Sequence, residues 1–305
     1  MKIRDRVFHQ IHVHAQANAR WSYVEPPLAQ LPGDLRDLYI PDPGWPWICW
    51  DHDQIELRIV ACEARDPLLL EGFQNQWDVH TLEACAIFGL PIPPNKTDPS
   101  HHPDNAGWRE KVRWQACDHP RDICGKDDKR RKFAKTHQYR KIYGGSSQRS
   151  GDMPSAKVLG LKAKDLADIG RAWELAHGAI VRWQRNLGTQ VTGSRTTRTF
   201  LGRRRIYNGR VGDIEREACD HPAQAGAQGI ESRIFVEIAE RWGFYRKDRG
   251  PEEVIYKWGA HDSQKWGVLE AKWDVIVPEI KTIVTQTWEI NGVKMPFPAS
   301  FKEVR

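Results

Sequence analysis

The sequence has 305 residues, which is enough for one large domain or two ordinary domains with a buried core. Lys and Arg number 46 against 40 acidic residues, so the formal charge of +6 permits a polyanionic partner without requiring one. No 18-residue apolar run occurs, and six cysteines in a chain of this length do not make a disulfide scaffold, so the composition argues against a membrane-spanning or disulfide-rich protein and predicts a cytoplasmic one.

The first half of the chain changes character several times. Residues 1–48 are rich in proline and lack a helical period, which predicts turn-dense connections. From residue 50 to about 90, a strand-like start passes into apolar residues at helical spacing. Residues 91–128 are polar and contain several prolines, which predicts an irregular insertion with room for one short helix. The pattern from 129 to 190 is mostly helical.

From residue 195 onward, short strand-like runs surround one predicted helix. The helix lies in HPAQAGAQGIESRIFVEIAERWG, residues 221–243, and the runs are TRTFLG, RRRIYN, EEVIYKWGA and KWGVLEA. Helices in the middle of the chain with strands mainly on both flanks indicate an α+β fold that carries an inserted helical subdomain.

Charged residues interrupt the apolar stretch CWDHDQIELRIVA, which begins at Cys49. They are Asp51, Asp53, Glu56 and Arg58. A charge near a core is costly unless an opposite charge or a metal ion compensates it. The stretch therefore predicts partners for these side chains, among them a metal ion.

The stretch KRRKFAKTHQYRKIYGGSS predicts a helix with a basic and aromatic stripe. Arg131, Lys135 and Tyr139 recur at a spacing of four residues, and Tyr143 continues the stripe before two glycines end the helix. Such a stripe suits a triphosphate near the helix N-terminus and a stacked base further along. The alternative is a solvated basic face with two half-buried tyrosines.

A third stretch, IYKWGAHDSQKWGVLEA, places His261 and Asp262 in a predicted turn between two strand-like runs. A carboxylate at such a turn is a natural metal ligand, although it can equally be a solvated hairpin residue. Asp51 and Asp262, with the basic helix between them in the sequence, are what two-metal phosphoryl or nucleotidyl transfer requires. Mg²⁺ is the expected ion because oxygen ligands suit it.

Seven stretches resemble motifs of the family A DNA polymerases, the group of bacterial DNA polymerase I and many phage replicases. DHDQIELR resembles motif A, RRKFAKTHQYRKIYGGS motif B and AHDS motif C. ARWSYVEPPLAQLP, WDVHTLEA, FLGRRRIY and EREACDHPAQAGAQGI resemble four further stretches. All seven follow in the family's order over nearly the whole chain.

The resemblance implies a polymerase palm, an antiparallel sheet with helices, that carries inserted helical fingers. The implied divisions are palm over 1–73, fingers over 74–194 with the insertion at about 91–128, and palm again over 195–305. No stretch resembles the family's thumb or its 3′–5′ exonuclease domain. The resemblance therefore implies weak DNA holding by this chain alone, and either a second chain or a longer gene that supplies those parts.

The implied function is that of a DNA-templated DNA polymerase module. It would transfer dNTPs to a primer 3′-hydroxyl with two Mg²⁺ ions, for which Mn²⁺ can substitute, in the cytosol of a bacterium or an infected host. The implied partners are primer–template DNA, dNTPs and a separate thumb or exonuclease chain or a processivity factor, and no membrane.

The resemblance also implies roles for individual residues. The metal ligands would be Asp51 and Asp262, and Lys135 would be catalytic as a proton donor to the pyrophosphate. Glu56 would exclude a ribose 2′-hydroxyl. The residues implied to bind the nucleotide are Gln54, Glu56, His80, Arg131, Lys135 and Tyr139. Those implied to bind the primer–template are Arg20, Tyr143, Arg216, Gln224 and His261.

Four positions depart from the family's pattern. Ser263 stands where a Glu usually follows the motif C Asp, which is expected to weaken metal geometry without abolishing binding. His52 replaces a common Tyr, Asp220 replaces an Asn close to DNA, and Arg140 replaces a Gly. Ser263 and Asp220 support an alternative function, a non-catalytic DNA-binding or scaffold subunit that retains the polymerase fold.

Two further alternatives follow from the residues. A single-subunit RNA polymerase or a reverse transcriptase has a similar palm, but Glu56 disfavours ribonucleotides. The insertion contains possible zinc ligands, but their spacing matches no standard zinc module, so an ordinary polar loop is favoured. These residues are His101, His102, Cys117, His119 and Cys124.

Replacement of Tyr139 tests one implication of the resemblance. Family members carry Phe or Tyr at this position, and Tyr is associated with ready acceptance of dideoxynucleotides. Tyr139→Phe is therefore expected to raise the discrimination against dideoxynucleotides, measured as the ratio of dNTP to ddNTP incorporation in primer extension. An unchanged ratio would contradict this expectation.

Overall fold

The computed structural model describes the larger part of the chain: residues 10–13, 16, 20–24, 35, 39–88, 129–246, 248, 250–260 and 263–305. The predicted insertion at 91–128, with its zinc candidates, lies outside these residues, and so do His261 and Asp262. The chain divides into two compact units. The first comprises residues 1–59, 198–205 and 221–305, and the second comprises residues 60–197 and 206–220. The palm and fingers boundaries stay predictions.

The strands of the described residues are mostly short. They are β1 (Gln10–His12), β2 (Ser22–Val24), β3 (Trp47–His52), β4 (Thr196–Arg198), β5 (Arg204–Ile206), β6 (Val254–Ala260), β7 (Ser263–Val268), β8 (Thr287–Ile290), β9 (Val293–Pro296) and β10 (Ala299–Val304). In the first unit, β10, β3, β7 and β6 form a four-stranded sheet in that order, and each neighbouring pair is antiparallel. The remaining strands pair as β1–β2, β4–β5 and β8–β9.

Among the described residues, the helices lie between β3 and β4 and in two later stretches of the chain. They are α1 (Ile55–Ala64), α2 (Pro67–Gln74), α3 (Val79–Phe88), α4 (Lys129–Ile142), α5 (Pro154–Val158), α6 (Ala163–Ala176), α7 (Gly178–Ser194), α8 (Val211–Arg241) and α9 (Trp273–Val284). Short 3₁₀ helices cover Ser147–Asp152 and Glu270–Lys272. None of the described helices is long and apolar enough to cross a membrane.

The alternation of side chains along β3 decides which face of the four-stranded sheet is buried. Ile48, Trp50 and His52 are at most 4% exposed, whereas Cys49 is half-buried and Asp51 is exposed. Successive residues of a strand point to opposite faces, so one face of the sheet belongs to the core and the other is open near its Asp51 end. Helix α9 packs against β7 within the first unit.

An aromatic cluster supports the first unit around β6 and β7. Phe235 of α8 lies between Trp21, Tyr256 and Trp266, with ring centroids 5.0–5.2 Å away. The indole of Trp266 is fully buried. Edge-to-face pairs of this kind bury large apolar areas in a defined geometry. These contacts hold α8 against β6 and β7 in the first unit.

Helix α4 ends where two glycines let the chain turn. Gly144 has a φ of +71°, in the left-handed region that glycine adopts without a steric cost. The amide of Gly145 donates to the carbonyl of Arg140 at 2.8 Å. A Cβ atom at Gly145 would lie 2.5 Å from Cγ of Arg140, so only glycine fits this helix end.

The described elements confirm most of the predicted organisation. Helices α4 to α7 occupy the segment predicted to be mostly helical, and β4 to β7 occupy the four strand-like runs. The prediction for α8 was too short, because this helix begins at Val211 and continues through Pro222. Buried side chains on both sides of the proline, such as Ile214 and Ile230, anchor the helix despite the lost backbone hydrogen bond.

Helix α9 was missed by the sequence argument. Its buried residues, Trp273, Ile276, Val277, Ile280, Ile283 and Val284, follow a helical period. The period was obscured because the segment is rich in β-branched residues and contains Pro278. Burial of one apolar face outweighs these local preferences.

A buried histidine links the start of α2, helix α3 and the junction of α6 and α7 in the second unit. His177, at the junction of α6 and α7, has Nδ1 at 3.1 Å from Oδ1 of Asp66 and Nε2 at 3.3 Å from Oε2 of Glu83. Burial by itself would lower the pKa of His177, but hydrogen bonds to the two carboxylates and their charges outweigh burial and raise the pKa to about 9. The imidazolium is therefore the form present at neutral pH.

His177→Gln is expected to destabilise the protein in a pH-dependent way. The folded chain binds the proton more tightly than the unfolded chain, so the contribution of His177 is complete below the ordinary histidine pKa of about 6.5. It declines as the pH rises and is lost above the folded-state pKa of about 9. The difference in unfolding free energy at pH 6 is expected to be on the order of 3 kcal/mol, measured by urea titration.

His137→Gln is the matched control for this prediction. Burial, with the charges of Lys141 and Arg140, lowers the pKa of His137 to about 4. Its contribution therefore has the opposite sign, since the wild-type His137 destabilises the fold as the pH falls from about 6.5 towards 4. Equal losses for His177→Gln at pH 6 and above pH 9 would contradict the assignment of a charged His177.

Candidate active site

Asp51 lies at the exposed end of β3, one residue before the strand ends. Its register partners are Ser300 of β10 on one side and Ser263 of β7 on the other. Ser263 directly follows Asp262 in the sequence. The sheet therefore pairs the strand of the DHDQIELR stretch with the strand that begins after AHD.

The donor atoms near Asp51 are oxygens. Ser263 and Ser300 carry hydroxyls, and the Ser300 hydroxyl donates to Oδ1 of Asp53 at 3.4 Å. Hydroxyl and carboxylate oxygens suit Mg²⁺ or Mn²⁺ better than a soft metal. Within the described ranges, which leave out Asp262, no three His, Cys, Asp or Glu side chains are placed to hold a metal. The ligand pair Asp51 and Asp262 stays a prediction.

Two lysines lie on the open face of the sheet, in the row next to Asp51. Lys302 and Lys265 are the register partners of Cys49 on β10 and β7. The ammonium of Lys265 lies 4.6 Å from the ring centroid of Trp47 and 4.8 Å from that of Trp258, which holds it in place. Burial raises the pKa of the Cys49 thiol although both lysines act in the opposite direction. The row is therefore cationic, with a neutral thiol at its centre.

The turn between β3 and α1 is strained at Gln54. Its φ of +61° is unusual for a residue with a side chain. Its Oε1 atom is buried and accepts no hydrogen bond from the described residues. Arg58 stabilises the turn, since it donates to the carbonyl of Asp53 at 2.9 Å and to the carbonyl of Pro296 at 3.1 Å. A buried acceptor without a donor at this turn is compatible with the predicted nucleotide contact of Gln54.

Glu56, the predicted sugar gate, forms an ion pair with Arg20. Both side chains are partly buried. The next residue, Trp21, donates its amide to Oε1 of Gln228 at 3.3 Å, which anchors the segment that carries Arg20 to α8. Two residues predicted to contact different ligands therefore contact each other.

Arg131 is held in a bidentate ion pair with Asp78. Its Nε and Nη2 atoms donate to the two carboxylate oxygens at 2.8 and 3.0 Å. Burial alone would raise the pKa of Asp78, but the hydrogen bonds and charge of Arg131 outweigh burial and lower it to about 2. Asp78 also accepts hydrogen bonds from the amides of His80 and Thr81 at the start of α3. Arg131 is therefore fixed in position before any ligand binds.

Lys135, one turn further along α4, is exposed. No carboxylate of the described residues lies within ion-pair distance of its ammonium. His80 is nearly fully buried, with Nδ1 at 2.9 Å from Oε1 of Gln138. Burial, opposed by Asp78 and assisted by the charges of Arg131 and Lys135, lowers the pKa of His80 to about 4. At neutral pH this histidine is a neutral hydrogen-bonding group beside two cations.

The predicted aromatic stripe of α4 is present. The ring of Tyr139 lies 5.8 Å from that of His80 and 6.2 Å from that of Tyr143, measured between centroids. Both tyrosines are half-buried. The second unit thus brings together His80, Arg131 and the two tyrosines, and Lys135 acts electrostatically on His80.

The remaining predicted residues lie on α8. Arg216 is exposed, donates to Oδ1 of Asp213 at 2.5 Å and donates to the carbonyl of Gly212 at 3.2 Å. Gln224 is half-buried. The roles of both residues in primer–template binding stay predictions, as does the role of His261, which lies outside the described residues.

Asp78 is a site residue that the sequence argument missed. The signal was present, because an acidic residue directly before an apolar helical stretch, here WDVHTLEA, is a helix N-cap pattern. Its second role is to hold Arg131 in position. That contact joins residues 53 positions apart, so no local sequence pattern predicts it.

Comparisons with known proteins agree with this picture. Residues 1–101 match the profile described as DNA polymerase family A. DNA polymerase I of Pseudomonas aeruginosa is 25% identical over 251 residues, which are 78% of this chain and 23% of that protein. The DNA polymerase of Mycobacterium phage D29 is 24% identical over 263 residues, which are 83% of this chain and 35% of that protein.

The chain is similar to family A DNA polymerases, by profile over residues 1–101. The POL domain of Pol1 from M. smegmatis, solved in complex with DNA primer-template and dNTP, aligns with a TM-score of 0.74 and 21% identity. The alignment covers 98% of this chain and 48% of that one. The fold is therefore that of the POL domain of a DNA polymerase I, mixed helix and sheet as predicted. The chain spans less than half the length of each of these three proteins.

Asp78→Asn is expected to release Arg131 and to destabilise the second unit by about 1–3 kcal/mol, because a charged, partly buried pair is broken. The advantage of the wild-type chain should be complete above the ordinary aspartate pKa of about 3.8. It should decline as the pH falls towards the folded-state pKa of about 2. Urea unfolding at several pH values measures the difference.

Asp165→Asn is the control for the Asp78 variant. Asp165 also accepts an amide hydrogen bond at a helix start, from Lys162 at 2.9 Å, but it is exposed. Its replacement is expected to cost less than about 1 kcal/mol. Equal losses in the two variants would show that the clamp on Arg131 adds nothing beyond helix capping.

Proposed function

We propose that the chain is the palm-and-fingers module of a DNA-templated DNA polymerase. It transfers nucleotides from dNTPs to the 3′-hydroxyl of a primer. The observation that carries the proposal is the register of the sheet, which pairs Asp51 with Ser263, the residue directly after Asp262. The names of the relatives and the fold of a polymerase domain support it.

The first unit supplies the carboxylates. Asp51 and Asp262 would hold two Mg²⁺ ions, or Mn²⁺ in their place, and Asp53 adds a carboxylate near the hydroxyl of Ser300. When bound, such ions acidify the attacking hydroxyl and stabilise charge on the leaving pyrophosphate. The oxygen donors of this region fit these hard ions. The cationic row of Lys302 and Lys265 favours a polyanion over the same face of the sheet.

The second unit supplies the groups for the nucleotide. Arg131, pre-oriented by Asp78, binds phosphate oxygens, and the exposed Lys135 neutralises the triphosphate and donates a proton to the departing pyrophosphate. His80 contributes a neutral hydrogen-bonding group. Tyr139 lies against the sugar and base, and Tyr143 covers the template side.

Contacts with the sugar and the duplex complete the proposal. The Glu56 side chain excludes a ribose 2′-hydroxyl, and the ion pair with Arg20 keeps its carboxylate in one orientation. Residues assigned to the primer–template are Arg20, Tyr143, Arg216, Gln224 and His261. Base pairing selects the incoming nucleotide, while the protein tests the shape of the pair. A chain that carries the thumb or exonuclease, or a processivity factor, is a further proposed partner, and the proposed location is the cytoplasm.

Primer extension with dNTPs and Mg²⁺ tests the proposal. Asp51→Ala is expected to slow extension at least about 100-fold, because metal-assisted stabilisation of the transition state is worth several kcal/mol. Lys135→Ala is expected to slow it by about 100-fold through loss of the proton donor. The controls are Asp274→Ala, an exposed acid of α9, and Lys164→Ala, an exposed lysine of α6, and both should extend normally.

The scaffold alternative makes a different prediction. Ser263 beside Asp51 is the feature that favours it. If the wild-type chain fails to extend a primer even with Mn²⁺ and excess DNA, two further experiments distinguish a polymerase from a scaffold: the Ser263→Glu variant and addition of a thumb-bearing chain. Primer extension in either experiment supports the polymerase. DNA binding without extension in both experiments favours the scaffold.

A further inference from the structure

A connected series of polar side chains lies in the core, on the face of β3 and β7 opposite Asp51. Nε1 of Trp266 donates to Oε1 of Gln264 at 3.0 Å, and Nε2 of Gln264 donates to Oε2 of Glu231 at 2.6 Å. Nε2 of Gln264 also donates to the backbone carbonyl of Glu231 at 2.8 Å. Nε2 of His52 lies 3.0 Å from Oε1 of Glu231, which is ion-pair distance, although the two atoms are not aligned for a hydrogen bond. We refer to these four side chains as the buried brace.

The direction of the hydrogen bonds in the buried brace follows from its end at Trp266. An indole N–H can only donate, so the carbonyl oxygen of the Gln264 amide must face it. The amide NH₂ of Gln264 then faces Glu231, which accepts with one carboxylate oxygen. The other carboxylate oxygen faces His52. Glu231 is therefore the acceptor at which contacts from β3 and β7 meet.

The stability of the core does not by itself explain why Glu231, an acidic residue, is buried here. Glu231 is 1% exposed, and His52 and Gln264 are each 4% exposed. A buried carboxylate carries a large desolvation cost, and apolar residues of similar volume often serve the stability of a core as well or better. Buried polar contacts between separate elements instead favour one arrangement of the elements that they join.

The elements that the buried brace joins are the two strand ends of the proposed active site. His52 is the last residue of β3 and follows Asp51, and Gln264 follows Ser263 near the start of β7. Strand ends open more easily than strand centres, because fewer neighbours hold them. Glu231 lies on α8 and contacts both ends from beneath the sheet.

We propose that Glu231 is a positioning residue for nucleotidyl transfer, which holds the ends of β3 and β7 together so that Asp51 keeps the geometry needed for divalent ions. This inference rests on the proposed function. It also gives a role to His52, which departs from the pattern of the family, since a histidine at this position reaches a carboxylate on α8. Groups that orient metal ligands change metal affinity or activity by about 10–100-fold when removed.

Glu231→Gln tests the inference with little change in volume. With its amide oxygen facing the NH₂ group of Gln264, the new side chain would turn its own NH₂ group towards Nε2 of His52, so the carboxylate contact to β3 would be lost. Mn²⁺ binding to the whole chain, measured by electron paramagnetic resonance, is expected to weaken by about 10-fold or more. Single-turnover extension should slow by a similar factor, with little change in the dNTP concentration for half-maximal rate. Asp51→Asn should abolish the same Mn²⁺ binding.

Glu237→Gln is the matched control, because Glu237 lies on the same helix, is partly exposed and pairs with Arg241 at 2.6 Å. It should bind Mn²⁺ and extend primers as the wild type does. Gln264→Met is a second variant in case Glu231→Gln folds poorly, since it removes only the contact to β7. Urea unfolding of each variant reports its stability separately.

The outcomes separate the inference from the proposed function. Weaker Mn²⁺ binding in a Glu231 or Gln264 variant that is fully folded at the assay temperature supports the buried brace. Wild-type Mn²⁺ binding and rate in folded variants overturn it, while leaving the polymerase proposal intact. A wild-type chain that binds Mn²⁺ but never extends a primer contradicts the function only, and a wild-type chain that binds no Mn²⁺ overturns both.

Discussion

The antiparallel ladder between β3 and β7 decides which residues of the proposed active site lie side by side. It pairs Asp51 with Ser263 on the open face and Trp50 with Gln264 on the buried face. A shift by one residue would move every side chain of one strand to the other face. The location of Asp51, the place of Lys265 beside Cys49 and the buried brace follow from this register, and the register of β10 with β3 adds Lys302 to the row.

Charges in the described part of the chain are stabilised in three physically different ways. Asp51 is exposed at a strand end, Glu56 pairs with Arg20, and Arg58 donates to backbone carbonyls near the strained turn at Gln54. In the second unit, Arg131 and Asp78 form a bidentate pair. These pairs pre-orient side chains, so a ligand need not bear the entropy cost of ordering them.

The histidines show how the same side chain takes opposite states in different surroundings. Two carboxylates keep His177 charged, whereas burial keeps His80 and His137 neutral. The difference matters at the proposed nucleotide site, where His80 can donate or accept a hydrogen bond but adds no charge at neutral pH. The positive charge available to a triphosphate comes from Arg131 and Lys135.

Local pattern alone determined much of this protein. The basic and aromatic helix that ends at two glycines, the strand-like runs from residue 195 onward and the α+β class follow from short-range spacing, and the structure confirms them. The motifs resemble those of family A, and the comparisons find that family's profile over residues 1–101 and similarity to two DNA polymerases. Such features depend on neighbours within one or two turns, which a sequence displays directly.

Other features were decided only by the tertiary structure. The full length of α8 and the existence of α9 depend on apolar faces that become buried, which outweighs the prolines inside both helices. The clamp of Asp78 on Arg131 and the contact of Glu231 with both His52 and Gln264 join residues far apart in the chain. A sequence specifies which donors and acceptors exist, but which of them meet in a core is set by packing, because a buried polar group is stable only where the fold brings it a partner.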